Sequence, residues 1–405
     1  MESSVFDVVI IGGGIIGLST ALRLKQEQYP DWRIAVVEKD AGLANHQTGH
    51  NSGVIHSGIY YRPDSHKARF CVEGAQALKT FCDENEIEYE LCGKVIVAIH
   101  ESELGRLDSL YERGVANGVQ GLEMIGPERL KEIEPHVFGV KALWAPSTGI
   151  VDYKKVAAAY AGRFQEAGGE IFTGAEVHSI KKYPDALSIE TNGGVLQAKH
   201  LINCAGLHAD RVAEMMGEEI DVRIIPFRGE YYTLKPESHG LVNGLIYPVP
   251  DPRFPFLGVH YTRNIHGQVE AGPNAVMALK REGYRKSDVD LMDSWGTLSF
   301  PGFWKMSMKF WKIGLGEMHR SYVKSVFVRD LQRLVPEIRA EDLAPGGSGV
   351  RAQAVSRSGA LLDDFHIIRG KEAVHVLNAP SPGATSSLAI GKYIGDLAAE
   401  AFGEA

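Results

Sequence analysis

A β-branched apolar run, Phe6 to Ile11, leads straight into Gly12-Gly13-Gly14-Ile15-Ile16-Gly17, and that into the helix-like Leu18 to Leu24. An apolar run without polar alternation suits a strand buried on both faces of a parallel sheet. In a G-x-G-x-x-G the glycines allow a tight turn, a close approach of backbone to a pyrophosphate, and close packing of the helix on the strand. A second strand, Arg33 to Val37, ends in Glu38. That spacing brings an acid to the ribose hydroxyls while the pyrophosphate rests on the helix N-terminus. The motif alone is a weak signal, but strand, turn, helix and terminal acid occur here in order. They predict a βαβ dinucleotide site built from Gly12, Gly14, Ile15, Ile16, Gly17 and Glu38, with Lys39 adjoining. A carboxylate at Glu38 would repel a 2′-phosphate, which disfavours an NADP-type ligand.

The chain has 405 residues, with 43 Lys+Arg against 51 Asp+Glu and a net charge of −8. The length predicts two or three domains, and the acidic balance argues against a nucleic-acid partner. Glycine is overused, at 45 residues or about 11% where ~7% is usual. The surplus falls in clusters at Gly12 to Gly17, Gly49 to Gly58, Gly346 to Gly349 and Gly383, where backbone must come close to something. Cys71, Cys82, Cys92 and Cys204 show neither CxxC spacing nor a zinc-type His pair, so they read as reduced thiols and no metal site is expected. No basic segment precedes the first apolar run and no stretch reaches ~18 apolar residues, so neither a cleaved signal peptide nor a transmembrane helix is expected. The expected location is cytoplasmic.

Beyond Glu38, a nicotinamide dehydrogenase would continue with alternating strands and helices. Instead Ala41 to Arg62 is a loop dense in Gly, His, Asn and Ser, AGLANHQTGHNSGVIHSGIYYR, with little to bury and many hydrogen-bonding groups. The G-x-G-x-x-G, the terminal Glu and the TGHNSGVIHSGIYY loop together resemble the D-amino-acid-oxidase-type family of FAD oxidoreductases, and within it the L-2-hydroxyglutarate dehydrogenase/oxidase branch. The resemblance covers essentially the whole chain. It implies FAD as cofactor, met by Thr48, Gly49, His50, Asn51 and Ser52 of the loop and by Val177 beside the adenine. Leu201 to Gly206 reads as a buried strand ending in small residues, so that Cys204, Ala205 and Gly206 let the backbone approach FAD; Cys204 itself reads as a packed thiol. Val374 to Asn378 reads as strand. Pro382, Gly383, Ala384, Thr385 and Ser386 read as the opening of a helix that runs to Leu397, whose N-terminal N–H groups would stabilise negative charge on the reduced flavin. Some members of the family tether FAD through a Cys near this last turn. None of the four cysteines lies there, so noncovalent FAD is expected, with His46, His50 or His56 as the alternative attachment points.

The expected fold is α/β (α+β): a Rossmann-like FAD-binding domain of glutathione-reductase type interleaved with a substrate domain. The first is discontinuous over 1–88, 146–222 and 343–405; the second takes 89–145 and 223–342. Runs such as Lys94 to Ala98, Arg228 to Leu234 and Leu257 to Arg263 predict a mixed or antiparallel sheet with one face over the flavin.

The branch resembled oxidises L-2-hydroxyglutarate to 2-oxoglutarate by hydride transfer to flavin N5. That chemistry needs a cation for the carboxylate and a base for the hydroxyl proton. Arg351, in Gly349-Val350-Arg351-Ala352, resembles the position where related enzymes hold a substrate carboxylate by a bidentate guanidinium. A second carboxylate needs a second anchor, for which Arg62, Lys67, Arg69 and Arg228 are candidates. Histidine is the default base; His56 in the loop and His260 on a sheet strand are the candidates, with Tyr61 and Tyr232 as hydrogen-bonding partners of the substrate. An amine or amino-acid oxidase acting on glycine, sarcosine or a D-amino acid is the alternative reading, and a non-catalytic or tRNA-modification flavoprotein subunit a further one.

One region departs from the acidic average. Residues 299–324, SFPGFWKMSMKFWKIGLGEMHRSYVK, carry Lys305, Lys309, Lys312, Arg320 and Lys324 against Glu317 alone, interleaved with Phe300, Phe303, Trp304, Phe310 and Trp311. Aromatics at headgroup depth with lysines toward anionic lipid predict docking on the inner face of the cytoplasmic membrane. Electrons would then pass to quinone rather than chiefly to oxygen. An ordinary amphipathic helix packed on the substrate sheet is the competing reading.

Overall fold

The computed structural model describes residues 5–253 and 257–403. Phe6–Ile11 lies at the centre of a parallel array in the order Glu170–Phe172, Ile34–Val37, Phe6–Ile11, Gly194–Asn203, Ala373–Asn378. Alternate side chains of these strands go to opposite faces, and both faces are covered, as an unbroken apolar run requires. Val8, Ile10, Ile34 and Val36 share a cluster with Leu18, Leu22, Tyr160, Phe164, Ile390 and Ile394. Phe6, Val9, Ile11, Ala35 and Val37 share another with Leu201, Val212 and Met216. At about 1.5–3 kcal/mol for each large apolar side chain fully buried, these two layers hold the sheet between its helices. The helices of the first layer are Ile15–Arg23, His66–Glu84, Tyr153–Glu166 and Ser387–Phe402. Antiparallel strands Val177–Lys182 and Leu187–Thr191 extend the N-terminal half of Gly194–Asn203, and His366–Arg369 closes the other edge, giving eight strands.

A second, nine-stranded sheet contains Lys94–Ala98, Leu245–Pro248, His260–Arg263 and the long antiparallel pair Val222–Leu234 and Leu343–Ser356. Its one parallel contact among the described residues joins Leu245–Pro248 to Lys94–Ala98. In the long pair Phe227 stands opposite Arg351 and Gly229 opposite Gly349. The architecture is therefore the mixed α/β fold with a Rossmann-like sheet that the sequence predicts. Two local expectations change. The last helix begins at Ser387 and runs to Phe402; residues 382–386 form a turn closed by the Ser386 N–H on the Pro382 carbonyl at 2.9 Å. Residues 299–324 are mostly one helix, Pro301–Tyr322. Among the described residues no helix is long and apolar enough to cross a membrane.

Asn203 and His375 join neighbouring parallel strands in the interior. Asn203 donates through Nδ2 to His375 Nδ1 at 3.1 Å, so this imidazole nitrogen must be unprotonated. His375 is fully buried, and burial, aided by Lys182, pulls its pKa down to about 4. In the unfolded chain it titrates near 6.5, so below that pH the unfolded state takes up a proton that the folded state refuses. Stability from this residue is present above pH ~6.5 and falls by up to about 3 kcal/mol as the pH drops toward ~4. Urea unfolding of wild type and His375→Gln between pH 7 and 4.5 should show a shallower decline in the variant. Equal slopes would remove His375 from the account.

Candidate active site

Gly12 holds φ at +114°, and a Cβ there would collide with the Cys204 carbonyl oxygen; one at Gly17 would collide with the Gly12 carbonyl. The first and third glycines thus let strand, turn and helix close on one another. Helix Ile15–Arg23 starts from Gly14, which offers no side-chain cap. The Ile15 N–H is bonded to Thr48 Oγ1 at 3.0 Å. Glu38 accepts the Gly13 N–H at 2.8 Å and the Asp40 N–H at 3.0 Å, which fixes its carboxylate beside the turn. The 41–62 loop is wired by Asn51, which donates to the Gln47 and Thr48 carbonyls and accepts the Gly53 N–H.

These groups line a cavity of ≈ 690 Å³, within the usual range for a cofactor or substrate site. Of the residues expected from sequence, Gly12, Gly14, Ile15, Ile16, Glu38 and Lys39 face it, as do Thr48, His50, Asn51 and Ser52 of the loop. Val177, Cys204, Ala205, Gly206, Pro382, Gly383, Ala384 and Thr385 line it as well. Gly17, Gly49 and Ser386 do not line it. Gly17 serves the turn, Gly49 packs against Lys154, and Ser386 is fully buried against Gly74 of helix His66–Glu84. Burial pushes the Cys204 and Cys71 thiols up to about 12 and Cys82 and Cys92 to about 11, so none is a thiolate at neutral pH. Sequence reasoning missed Glu282, which also lines the cavity and accepts from Lys39 at 2.7 Å and His208 at 3.0 Å. Burial opposes its charge, but those bonds hold its pKa down to about 2.

Arg351, His56, His260, Tyr231 and Tyr247 also line the cavity. His260 is 7% exposed, its ring stacks on Tyr247 at 3.9 Å, and its Nδ1 lies 2.9 Å from the Gly258 carbonyl. A carbonyl only accepts, so Nδ1 carries the proton and Nε2 keeps its lone pair. Burial, with Lys94 adding to it, pulls His260 down to about 4; burial, Lys94 and His260 pull His56 down to about 3. Both are neutral bases at pH 7. The His56 backbone N–H is held by Thr385 Oγ1 at 3.1 Å, and Thr385 also bonds Tyr153. Arg351 lies against Tyr61 and Asp363, both of which favour its charge against burial.

One strand has the opposite phase to that expected of Arg228 and Tyr232. Phe227, Gly229 and Tyr231 face the cavity, while Arg228 and Tyr232 point to the other side. Arg228 is paired with Glu230 at 3.1 Å and donates to the Gly283 and Arg285 carbonyls. Tyr232 packs edge-on against Phe327 at 4.9 Å. A shift of one residue inverts every side chain of a strand, so Tyr231 takes the place expected of Tyr232. Arg62 is exposed and outside the cavity, Lys67 is paired with Asp363 at 2.9 Å, and Arg69 lies over the Phe70 ring. Tyr61 does not line the cavity but bonds Ser381, which does.

Residues 7–397 match the family of FAD dependent oxidoreductases known as DAO. The chain belongs to this family. It is 53% identical to an L-2-hydroxyglutarate dehydrogenase of Indibacter alkaliphilus over 98% of this chain and 100% of that one. It is 49% identical to the Escherichia coli K12 protein of the same name, over 96% and 92% of the two chains. It is 46% identical to the mitochondrial Homo sapiens protein, over 98% and 89%. An FAD-bound L-alpha-glycerophosphate oxidase from Mycoplasma pneumoniae shares the fold, with a TM-score of 0.79 at 23% identity over 97% of this chain and 94% of that one. The cofactor of this family is FAD, and the groups that could hold it are the N-terminus of helix Ile15–Arg23 for the pyrophosphate, the oriented Glu38 carboxylate for the ribose, and the backbone at Gly12 and Gly206. Glu38→Ala should weaken FAD binding at least tenfold, the loss of about 1.5–3 kcal/mol expected for charged hydrogen bonds. Quenching of flavin fluorescence during titration of apoprotein measures it, and unchanged affinity would remove Glu38 from the site.

Proposed function

We propose that the protein oxidises L-2-hydroxyglutarate to 2-oxoglutarate with FAD. The observation that carries this reading is that one guanidinium, Arg351, and two neutral imidazoles, His56 and His260, line the same cavity as the dinucleotide turn. The relatives of about half identity bear the name of this reaction. Among the described residues the carboxylates lining the cavity are Glu38, Glu176 and Glu282, the first and last tied up at the dinucleotide end. An ammonium substrate would thus lack an acidic partner beside the histidines, which counts against an amine oxidase. The absence of a thiolate counts against cysteine-based modification chemistry.

Bound noncovalently, FAD supplies the acceptor for the hydride leaving the substrate carbinol carbon. Arg351 holds the adjacent carboxylate and so orients that C–H. An imidazole takes the hydroxyl proton as the C–O bond becomes a carbonyl. His260 presents Nε2 with its tautomer already set; the His56 ring has no hydrogen-bond partner among the described residues and can offer either nitrogen. Tyr231 and Tyr247 offer hydroxyls to the distal carboxylate, in place of the basic residues expected from sequence. Anaerobic mixing with L-2-hydroxyglutarate should bleach the oxidised flavin band, while the D-enantiomer, L-lactate and glycine should not; no bleaching with the first sinks the reading. Arg351→Met should lower kcat/KM by about 10²–10³-fold, as loss of a desolvated charge pair does. Replacing the base itself by Ala should cost about 10²–10⁴-fold, and the weaker of the two single variants identifies it. Wild-type kcat/KM should stay flat from pH 8 down to about 5, because both imidazoles are held well below their ordinary value.

The electron acceptor in this proposal is a membrane quinone. Helix Pro301–Tyr322 packs through Phe303, Met306 and Phe310 on the sheet, as the competing reading requires. It nonetheless leaves Trp304, Met308, Trp311, Leu315, Met318 and Tyr322 exposed, a stripe at alternating spacings of four and three. Leu291, Met292 and Trp295 of helix Leu291–Leu298, 70–81% exposed, add to it, and Lys305, Lys309 and Lys312 flank it. Such a surface fits an anionic bilayer. Wild type should co-sediment with anionic vesicles and Trp304→Ala/Trp311→Ala should not; a stable dimer that ignores vesicles overturns the docking.

A further inference from the structure

Lys94, the first residue of strand Lys94–Ala98, is 1% exposed, and its ammonium has no hydrogen bond or ion pair among the described residues. It is held between two rings instead, 4.6 Å from the centre of Tyr60 and 5.0 Å from that of Tyr247. An uncompensated buried charge is among the costliest groups a fold can carry, and cation–π contact offsets only part of that cost. Tyr247 also stacks on His260 at 3.9 Å, and Tyr247, His260 and His56 all line the cavity. The ammonium therefore lies within about 9 Å of the His260 ring, behind the Tyr247 wall, where a unit charge is still strongly felt.

We propose that Lys94 is a positioning residue whose fixed positive charge keeps His56 and His260 neutral while a dianionic substrate occupies the cavity. The inference rests on the dicarboxylate reading above. Two carboxylates brought into a water-poor cavity raise the pKa of any imidazole beside them, and an imidazole already protonated cannot take the hydroxyl proton. A cation on the far side of the same imidazoles opposes that rise. The groups around it do not cancel its charge. Cys71 from helix His66–Glu84, Tyr60 from the loop and Tyr247 from strand Leu245–Pro248 are all neutral at pH 7, since burial pushes the first and last up to about 12 and Tyr60 well above its usual value. Arg351 is a second cation, lining the same cavity as the histidines. Burial pulls Lys94 itself down to about 8, so it is mainly charged at pH 7.

The test is titration of carbon-13-labelled histidines in the FAD-loaded protein, wild type against Lys94→Met, each with and without 2-oxoglutarate. Loss of the charge should raise the His56 and His260 midpoints by about one pH unit even without ligand. The acid limb of kcat/KM should move up by the same amount, while Lys94→Arg should restore both. Unmoved midpoints overturn the proposal. Midpoints that rise in Lys94→Met but show no response to 2-oxoglutarate leave Lys94 coupled to the histidines and instead sink the dicarboxylate reading. Should Lys94→Met fail to load FAD, labelled lysines in the wild type decide: one must titrate near pH 8, and none doing so overturns the proposal.

Discussion

The end of Phe6–Ile11 and the end of Gly194–Asn203 run side by side, and just beyond them the Cys204 carbonyl fills the space that any side chain at position 12 would need. From that contact the cradle follows. The chain must turn at Gly12, Gly17 must lie over it, and the next helix must start at Ile15 with its N-terminal N–H groups facing the cavity. The two strands come from distant parts of the sequence, so the crevice forms where connections leave in opposite directions, as ligand sites of open parallel sheets do. The same strand end fixes the far side of the site. Asn203 bonds His375 and the Ala209 carbonyl, which seats Ala373–Asn378 so that the turn after it brings Thr385 to His56. One close approach thus places both the dinucleotide cradle and the turn that holds His56.

Two sets of groups line the cavity. In one, Glu38 and Glu282 hold and are held by backbone N–H groups, Lys39 and His208. The other is Arg351 and two neutral imidazoles, with Lys94 behind them. The neutrality of the imidazoles follows first from burial, with the Lys94 charge adding to it.

Much of the cradle was legible because its signals are local: a strand, three glycines and an acid at fixed spacing leave few alternative folds. The last helix was read four to five residues early, because the Pro382–Ser386 turn has the hydrogen-bonding pattern of a helix that has not yet begun. The substrate roof was harder. Alternation in Arg228 to Leu234 reveals a half-buried strand, but nothing in the run itself says which phase faces inward, and a polar, aromatic inner face is easily taken for the outer one. Tyr231 was missed for that reason. Lys94 was missed for the opposite one: in KVIVA it looks like the solvated start of an apolar strand, and only the pairing with Leu245 and Ala145 on either side shows that it is enclosed.

The exposed stripe on Pro301–Tyr322 has the spacing of a helix-pairing seam, and spacing alone suits a second copy as well as a bilayer. Charge separates the two. Lys305, Lys309 and Lys312 each follow a stripe residue by one position, so they run along one flank. A helix-to-helix seam is stabilised when such flanking cations meet acids on the partner. The one acid of this helix, Glu317, is already bound to the Ala275 N–H and to Arg320. Two copies would therefore bring lysine flanks together with little to neutralise them, whereas an anionic surface meets all three lysines while the tryptophans settle at its interface.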